Sequence, residues 1–426
     1  MKNNNRKITI NNTLSIITSI INRIQKNNYK SYDPMDVLGT PLFLYLRSRK
    51  NDIISTVGSK IEPKNKTKIF FRKILAPLYQ SKLFINTVRT FLCVKKQQIP
   101  KTFGLLAQGY LSLYRSTHNK IWKRHALDML TWLEQHPSKK YNTYAWGIPY
   151  PWQVYKNLCI PAYEPESTMT AVCGLAFIEA YEMFKIKKYL TIACHCCEYF
   201  IHHLNIDNKD DELCFSYTAA DTRHVINVNY HCGALLYRTA LASGNTVYKK
   251  YADKAFNYSN RCMNRNGSWY YGKAKNEKYV DNYHTGDNLE YLIVSKQRRK
   301  YNALIHKGQK YYLNTFFNSA GFPRYTSTSK YPGDIHSSAQ SLITLSLLSK
   351  YCNNSVTANQ HSELYADMAF AVLEWTKKVL FNKKDCFYYR IYDTGAIDKN
   401  SYFAWGDAYM VKGLAYYIEM LTNLRS

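Results

Sequence analysis

The chain has 426 residues, a hydrophobic fraction of 46% and a formal net charge of +28. That length holds more than one ordinary domain or one large repeat-built domain, with ample apolar material for a core. Such a charge attracts polyanions, but the lysines are spread along the whole chain among many asparagines, without a zinc-finger or ribonucleoprotein motif, so specific nucleic-acid binding is not expected.

Residues 1–12 are polar. Leu14, Ile17, Ile20, Ile21 and Ile24 then recur at helical spacing and predict an amphipathic helix. It is too interrupted by Thr, Ser and Asn to cross a bilayer. Its flanking Lys and Arg allow a weak membrane-surface association, against the alternative that it docks on the protein's own core. Tyr32–Pro41 is rich in turn residues, and Lys66–Lys82 and Leu83–Lys95 read as mostly helical.

From Pro100 a long alternation of helices begins. Thr102–Arg115 and Asn119–Glu134 come first, followed by Ser167–Phe184, Ile186–Leu204, Asn227–Ala242 and Val247–Asn264. Tyr283–Lys296, Arg298–Phe317, Ile335–Tyr351, His361–Phe381 and Phe403–Leu424 complete the series. One order of features recurs: an aromatic turn, a polar loop, then a polar helix start. Trp269-Tyr270-Tyr271 leads to Asp281–Thr285; Phe322–Tyr325 leads to Asp334–Gln340; Phe387–Arg390 leads to Tyr402–Asp407; Phe215–Tyr217 leads to Asn227–Tyr230. The period of roughly 50 to 70 residues is that of a helix-pair repeat, in which no pair buries its own apolar face.

Six helices of one kind and five of the other suggest a closed ring of six hairpins, with the sixth outer helix drawn from the first hundred residues. The expected division is therefore a helical segment, 1–98, that packs on and closes the ring, and a ring domain, 99–426. An open superhelix is the alternative.

The eleven cysteines fall mostly inside helical patterns, where a thiol acts as a small core residue. Their odd number and the lack of a cleavable signal pattern favour a reducing, cytoplasmic setting. Cys194-His195-Cys196-Cys197 does not converge on one helix face, so no metal is expected there, and no cofactor motif is present.

The motifs Asp33–Leu38, Tyr150–Gln153, Asn227–Asn229, Val280–Gly286 and Pro332–Gln340 resemble those of the six-hairpin glycosidase-like superfamily, the (α/α)6 toroids. Within it the chain looks like proteins encoded beside bacterial exopolysaccharide and capsule genes. The resemblance implies an all-α toroid acting on, or binding, a surface polysaccharide or its precursor. The superfamily holds glycoside hydrolases, polysaccharide lyases and sugar epimerases, so fold alone does not select a reaction.

In a closed ring the inner-helix N-termini converge and present N–H groups and positive dipole ends to one mouth. Asp281 and Asp334 are the first acids for glycoside hydrolysis, which needs two carboxyl groups flanking the bond; each also suits a helix N-cap. Arg223, Asn229, Tyr283, His284 and His336 suit proton abstraction beside a uronic carboxylate, the step shared by lyases and epimerases; hydrogen-bonded packing is the alternative for each His. Trp146, Trp152, Trp269, Tyr271 and Trp405 offer flat faces to sugar rings. Arg324 and Arg390, each following an aromatic turn, suit bidentate binding of a carboxylate or phosphate, and Tyr325 and Gln340 are further substrate-binding candidates. Glu164, Glu166 and Glu290 are reserve acids. The expected ligand is an oligo- or polysaccharide, either neutral or anionic. The alternative function is a non-catalytic binding or assembly component of polysaccharide biosynthesis.

Overall fold

The computed structural model describes residues 3–48, 81–155, 158–352 and 358–424. Most of the helix expected at Lys66–Lys82 lies outside these residues.

The repeat-forming helices are α4 (Pro100–Thr117) to α14 (Ala408–Asn423). Between them run α5 (Lys120–Gln135), α6 (Ser167–Phe184), α7 (Lys187–His202), α8 (Ile226–Ser243) and α9 (Thr246–Arg261). They are followed by α10 (Asn282–Val294), α11 (Asn302–Phe316), α12 (Ile335–Cys352) and α13 (Ala358–Leu380). Among the described residues, α4, α6, α8, α10, α12 and α14 pack each against the next, and α14 returns to α4, closing an (α/α)6 toroid. The odd-numbered helices from α5 to α13 form an outer layer: α5 packs on α4, α7 on α6, α9 on α8, α11 on α10 and α13 on α12.

Inner and outer helices differ as their sequences dictate. Along α14 every residue from Ala408 to Leu421 is buried, as in a helix enclosed on all sides. On α5 only the stripe Ala126, Met129, Leu130 and Leu133 is buried. Helix α1 (Asn3–Lys26) packs on α14 in the remaining outer position. Its Ile17, Ile20, Ile21 and Ile24 are at most 3% exposed, so this apolar face is spent on the chain's own core and not on a bilayer.

Two short helices, α2 (Pro41–Ser48) and α3 (Lys82–Phe91), lie outside the two layers. The hairpins β1 (Trp152–Tyr155) with β2 (Leu158–Ile160) and β3 (Ile206–Asn208) with β4 (Leu213–Phe215) are antiparallel. So is the small sheet of β5 (Gly333–Asp334), β6 (Arg390–Ile391) and β7 (Ile397–Asp398). All sit in the loops that precede inner helices.

The aromatic turns are the repeat's punctuation. Single bridges pair Met263 with Trp269, Phe317 with Pro323 and Phe381 with Phe387, one after each of three outer helices. A second set joins neighbouring repeats: Glu166 pairs with Thr218, Val225 with Gly272, Asp281 with Thr326 and Asp334 with Arg390. These four residues hold equivalent positions at the starts of α6, α8, α10 and α12.

The interior of the ring is not wholly apolar. Lys412 Nζ lies 2.6 Å from Glu290 Oε1, and Gln340 donates to Glu290 Oε2 at 2.7 Å, with all three side chains buried. At the C-terminal end Glu419 receives Arg115 at 3.0 Å, Lys350 at 2.6 Å and the Ser112 hydroxyl at 2.5 Å. Cations suit this end, where helix carbonyls converge. Burial opposes the Glu419 charge, but Arg115 and Lys350 outweigh it and hold the carboxyl at about 2, below its usual 4.5. A depressed carboxyl stabilises the fold above its unfolded pKa and loses that contribution as pH falls through its folded one. Stability should therefore drop between pH 4.5 and 2, and Glu419→Gln should cost about 3 kcal/mol at pH 7. Urea denaturation at pH 7 and near pH 2 measures this; an equal cost at both would refute it.

Candidate functional site

At the opposite end, all six inner helices bring a polar or aromatic side chain into one connected cluster. Lys101 comes from the first turn of α4, and Glu166 from the residue before α6. Arg223 comes from the loop before α8; Tyr283, His284 and Asp287 come from α10. His336 comes from α12. Trp405, from the π-turn Phe403–Asp407, and Tyr409 come from the start of α14.

The contacts run round the mouth. The Lys101 ammonium lies 5.2 Å from the Trp405 ring and 5.0 Å from the Tyr409 ring. Tyr409 shares a 2.8 Å hydrogen bond with Tyr283. The His336 ring is 3.7 Å from that of Tyr283, 4.2 Å from Tyr409 and 5.0 Å from Trp405, centre to centre. His284 lies between Tyr283 and Tyr271, at 4.8 and 4.6 Å. The Arg223 guanidinium stands over Tyr217 at 4.9 Å and Trp152 at 5.5 Å. The backbone of Tyr271 accepts from Ile226 N at 2.9 Å, tying this wall to α8.

Glu166 is the chemically distinctive member. It stands at the N-cap position of α6 but makes no capping hydrogen bond. Burial pushes it up to about 7 from 4.5; Lys101 and Arg223 oppose that rise, and Asp33 and Asp221 add to it. Other carboxyls nearby are committed. Asp33, pushed up to about 6 chiefly by burial, accepts from Met35 N at 2.9 Å and from Trp405 Nε1 at 2.8 Å. Asp287 is held by His231 at 2.6 Å and Asn227 at 3.0 Å; burial opposes its ionisation, but His231 outweighs it and keeps the carboxyl low. Asp221 binds Thr218 N at 3.1 Å and Arg223 Nη2 at 3.4 Å.

The residues expected at the mouth fall into groups. Arg223, Tyr283, His284, His336, Trp152, Tyr271 and Trp405 belong to the connected cluster. Asp281 caps α10, accepting from His284 N at 2.7 Å and facing His284 Nδ1 at 2.8 Å. Asp334 caps α12 through His336 N at 2.9 Å and pairs with Arg390 Nε at 2.5 Å; Arg390 also donates to Tyr325 at 3.1 Å. Each acid is thus engaged at the start of its own helix.

Other expected members have different duties. Asn229 pins β4, accepting from Phe215 N at 2.8 Å and donating to Val225 O at 3.3 Å. Gln340 belongs to the buried Glu290–Lys412 group. Trp146 and Trp269 are core residues, 0% and 2% exposed, whose indole N–H groups donate to Leu133 O and Ser259 O. Both rings are therefore committed to packing. Arg324 lies in the turn after α11, its amide bound to Phe316 O at 2.8 Å.

Lys101, Asp287 and Tyr409 escape a reading based on loop motifs, because they lie inside helices; Asp33 stands in a motif of the N-terminal segment, but nothing local ties it to the mouth. Glu166 carries a legible signal: it alone among the four equivalent helix-start positions is a glutamate. Among the described residues no group of three or more His, Cys, Asp or Glu is arranged to hold a metal ion.

No family model and no curated protein matches the sequence. Solved structures do match in fold. A D-mannose isomerase superposes with a TM-score of 0.56 at 14% identity, over 75% of this chain and 86% of that one. A cellobiose 2-epimerase from Bacillus thermoamylovorans gives 0.59 at 9%, over 76% and 88%. A family 76 glycoside hydrolase from a bovine Bacteroides thetaiotaomicron strain gives 0.54 at 13%, over 77% and 70%. The shared feature is the (α/α)6 toroid.

The raised Glu166 carboxyl has a thermodynamic signature. Its ionisation is harder in the folded than in the unfolded chain, so stability is lost as pH rises from about 4.5 through 7. The full loss is about 3 kcal/mol. Glu166→Gln should leave the thermal midpoint nearly unchanged at pH 4 and raise it at pH 8. An equal shift at both pH values would remove burial as the cause.

Proposed function

We propose that this chain is a carbohydrate-active enzyme that moves a proton at a carbon of an acidic sugar, as an epimerase or a lyase does. The observation that carries the reading is Glu166, a carboxyl held near neutrality between Lys101 and Arg223 at the convergence of six helix starts. A general base works best when its pKa lies near the working pH. Glu166 as carboxylate accepts the proton from the carbon beside the substrate's carboxylate. The electron pair left behind delocalises onto that carboxylate, where Lys101 and Arg223 stabilise the added charge. Returning a proton to the opposite face inverts the centre; expelling the oxygen on the next carbon, with a proton supplied from the Tyr283–Tyr409–His336 group, cleaves the chain. Several of the fold neighbours are a sugar isomerase or epimerases, which agrees with proton transfer.

A hydrolase is the second reading, favoured by the influence of Asp33 on Glu166, which makes them a carboxyl pair. A purely binding protein has no need of a carboxyl displaced in this way.

The finer setting is bacterial surface polysaccharide biosynthesis or modification in the cytoplasm. The net charge of +28 favours an acidic substrate. The described cysteines form no disulfide, which accords with a reducing compartment. No described helix is long and apolar enough to cross a membrane. A weak membrane-surface contact would use α3, where Leu83 and Phe91 are 81% and 83% exposed, rather than α1.

The test is incubation with acidic oligosaccharides in deuterated water. Deuterium at the carbon beside the carboxylate, or the ultraviolet absorbance of an unsaturated uronate, is the expected product signature, and Glu166→Gln should reduce it at least a hundredfold. Arg223→Ala should lower the rate with the fold intact. New reducing ends with neither signature would establish hydrolysis instead.

A further inference from the structure

A groove of about 910 Å³ lies beside the mouth, between the segments Gln97–Pro100, Gln135–Pro149 and Pro161–Glu164. Its walls adjoin the candidate site: the carbonyl of Trp146, which lines the groove, accepts from Glu166 N at 2.9 Å. Pro100 is followed by Lys101, Pro149 by Tyr150, and Glu164 stands two residues before Glu166. Lys30, on the same groove, leads through Tyr32 to Asp33.

The groove carries flat rings held at a cost. Trp132 is stacked between Phe103, at 3.6 Å and 5°, and His136, at 4.2 Å and 7°. Trp132 is half-buried and His136 exposed. Tyr163 is 58% exposed with φ +59°, a left-handed conformation unfavourable for any residue with a Cβ. Its backbone is locked there by Tyr163 N to Ile148 O at 2.7 Å and Ser138 Oγ to Tyr163 O at 2.6 Å. Glycine or asparagine would make this turn more easily. An exposed, unpacked tyrosine at a strained position beside a groove is where function outweighs local stability.

Charge defines the occupant further. The buried Glu164 is neutralised by Lys140 at 2.5 Å. Lys30 and Lys139 are exposed on the groove and have no ion-pair partner among the described residues. The surface is thus cationic with planar apolar platforms, which suits a chain of flat-faced rings bearing negative charges.

We infer that this groove holds the run of an acidic oligosaccharide whose reacting unit sits at Glu166. Sugar faces lie on Tyr163 and on the His136–Trp132 stack, and anionic groups face Lys30 and Lys139. The choice of a sugar rests on the function proposed above; the groove, its strained tyrosine and its charge do not.

The experiment is isothermal titration with three acidic hexasaccharides, of galacturonan, hyaluronan and chondroitin sulfate, beside neutral cellohexaose and oligoglutamate. At least one acidic sugar should bind, more weakly as salt rises. Tyr163→Gly and Lys139→Glu should each weaken it about tenfold or more. Tyr163→Gly should also raise the thermal midpoint, because glycine relieves the backbone, so lost affinity cannot be ascribed to misfolding. Binding that is absent from all three sugars, or indifferent to both variants, overturns the inference. So does equal binding of cellohexaose, or preference for oligoglutamate. If groove-dependent binding survives while no deuterium exchange or bond cleavage occurs, the groove stands and the proposed chemistry falls. If Glu166→Gln abolishes binding and the groove variants do not, the ligand occupies the mouth alone.

Discussion

One backbone hydrogen bond, repeated, organises this molecule. The first amide of an inner helix donates to the carbonyl of a tyrosine in the next repeat. Ser167 N binds Tyr217 O and Ile226 N binds Tyr271 O, both at 2.9 Å; Asn282 N binds Tyr325 O and Ile335 N binds Tyr389 O, both at 3.1 Å. A helix start leaves its first amides without internal partners. Here a neighbouring repeat supplies one partner, so the contact that satisfies a helix also fixes the rotation between hairpins. The same contact anchors the aromatic loops at the mouth. Tyr217 and Tyr271 rings line the site because their carbonyls are held by α6 and α8. Ring closure and site formation are therefore one event.

The start of α14 is held differently. At the start of α14 the amide of Phe403 donates to Ser31 Oγ at 3.2 Å, and Arg23 of α1 reaches Asp407 at 2.5 Å. Arg89 of α3 pairs with Asp36 at 3.1 Å and donates to Asp33 O at 2.9 Å. Asp33 in turn receives the Trp405 indole at 2.8 Å. A segment remote in sequence thus provides what a seventh repeat would otherwise provide. It also adds Asp33, whose charge contributes to the rise in the Glu166 pKa.

Much of the architecture was legible because it depends on periodicity. The limits of α6 and the start of α12 coincide with the apolar pattern, since a polar residue stands at or just before each start: Ser167 for α6 and Asp334 for α12. The loops were harder. Trp146 and Trp269 look like sugar platforms in sequence, yet both indoles are plugs whose N–H groups satisfy helix carbonyls; an aromatic near a helix end meets either demand equally well. Asn229 and Asn227 differ by two residues, which on a helix turns them to different neighbours. The first secures β4 and the second reaches Asp287. The Asp33–Trp405 contact spans most of the chain and leaves no local pattern to read.

The division of labour among the acids follows from side-chain length. Glu166, Val225, Asp281 and Asp334 occupy the same place in successive repeats. An aspartate there is short enough to turn back and accept from the helix amides, as Asp281 does from His284 N and Asp334 from His336 N and Ser337 N. Each gains a further cationic or imidazole partner, so its lone pairs are spent on holding a helix. Valine caps nothing, and α8 relies on the Tyr271 carbonyl alone. The extra methylene of glutamate carries the Glu166 carboxyl past the amides of α6, and it makes no cap. It is left where burial works against its charge and Lys101 and Arg223 favour it. Of the three acids at these positions, the one that does not cap its own helix is also the one whose carboxyl burial pushes up to about 7.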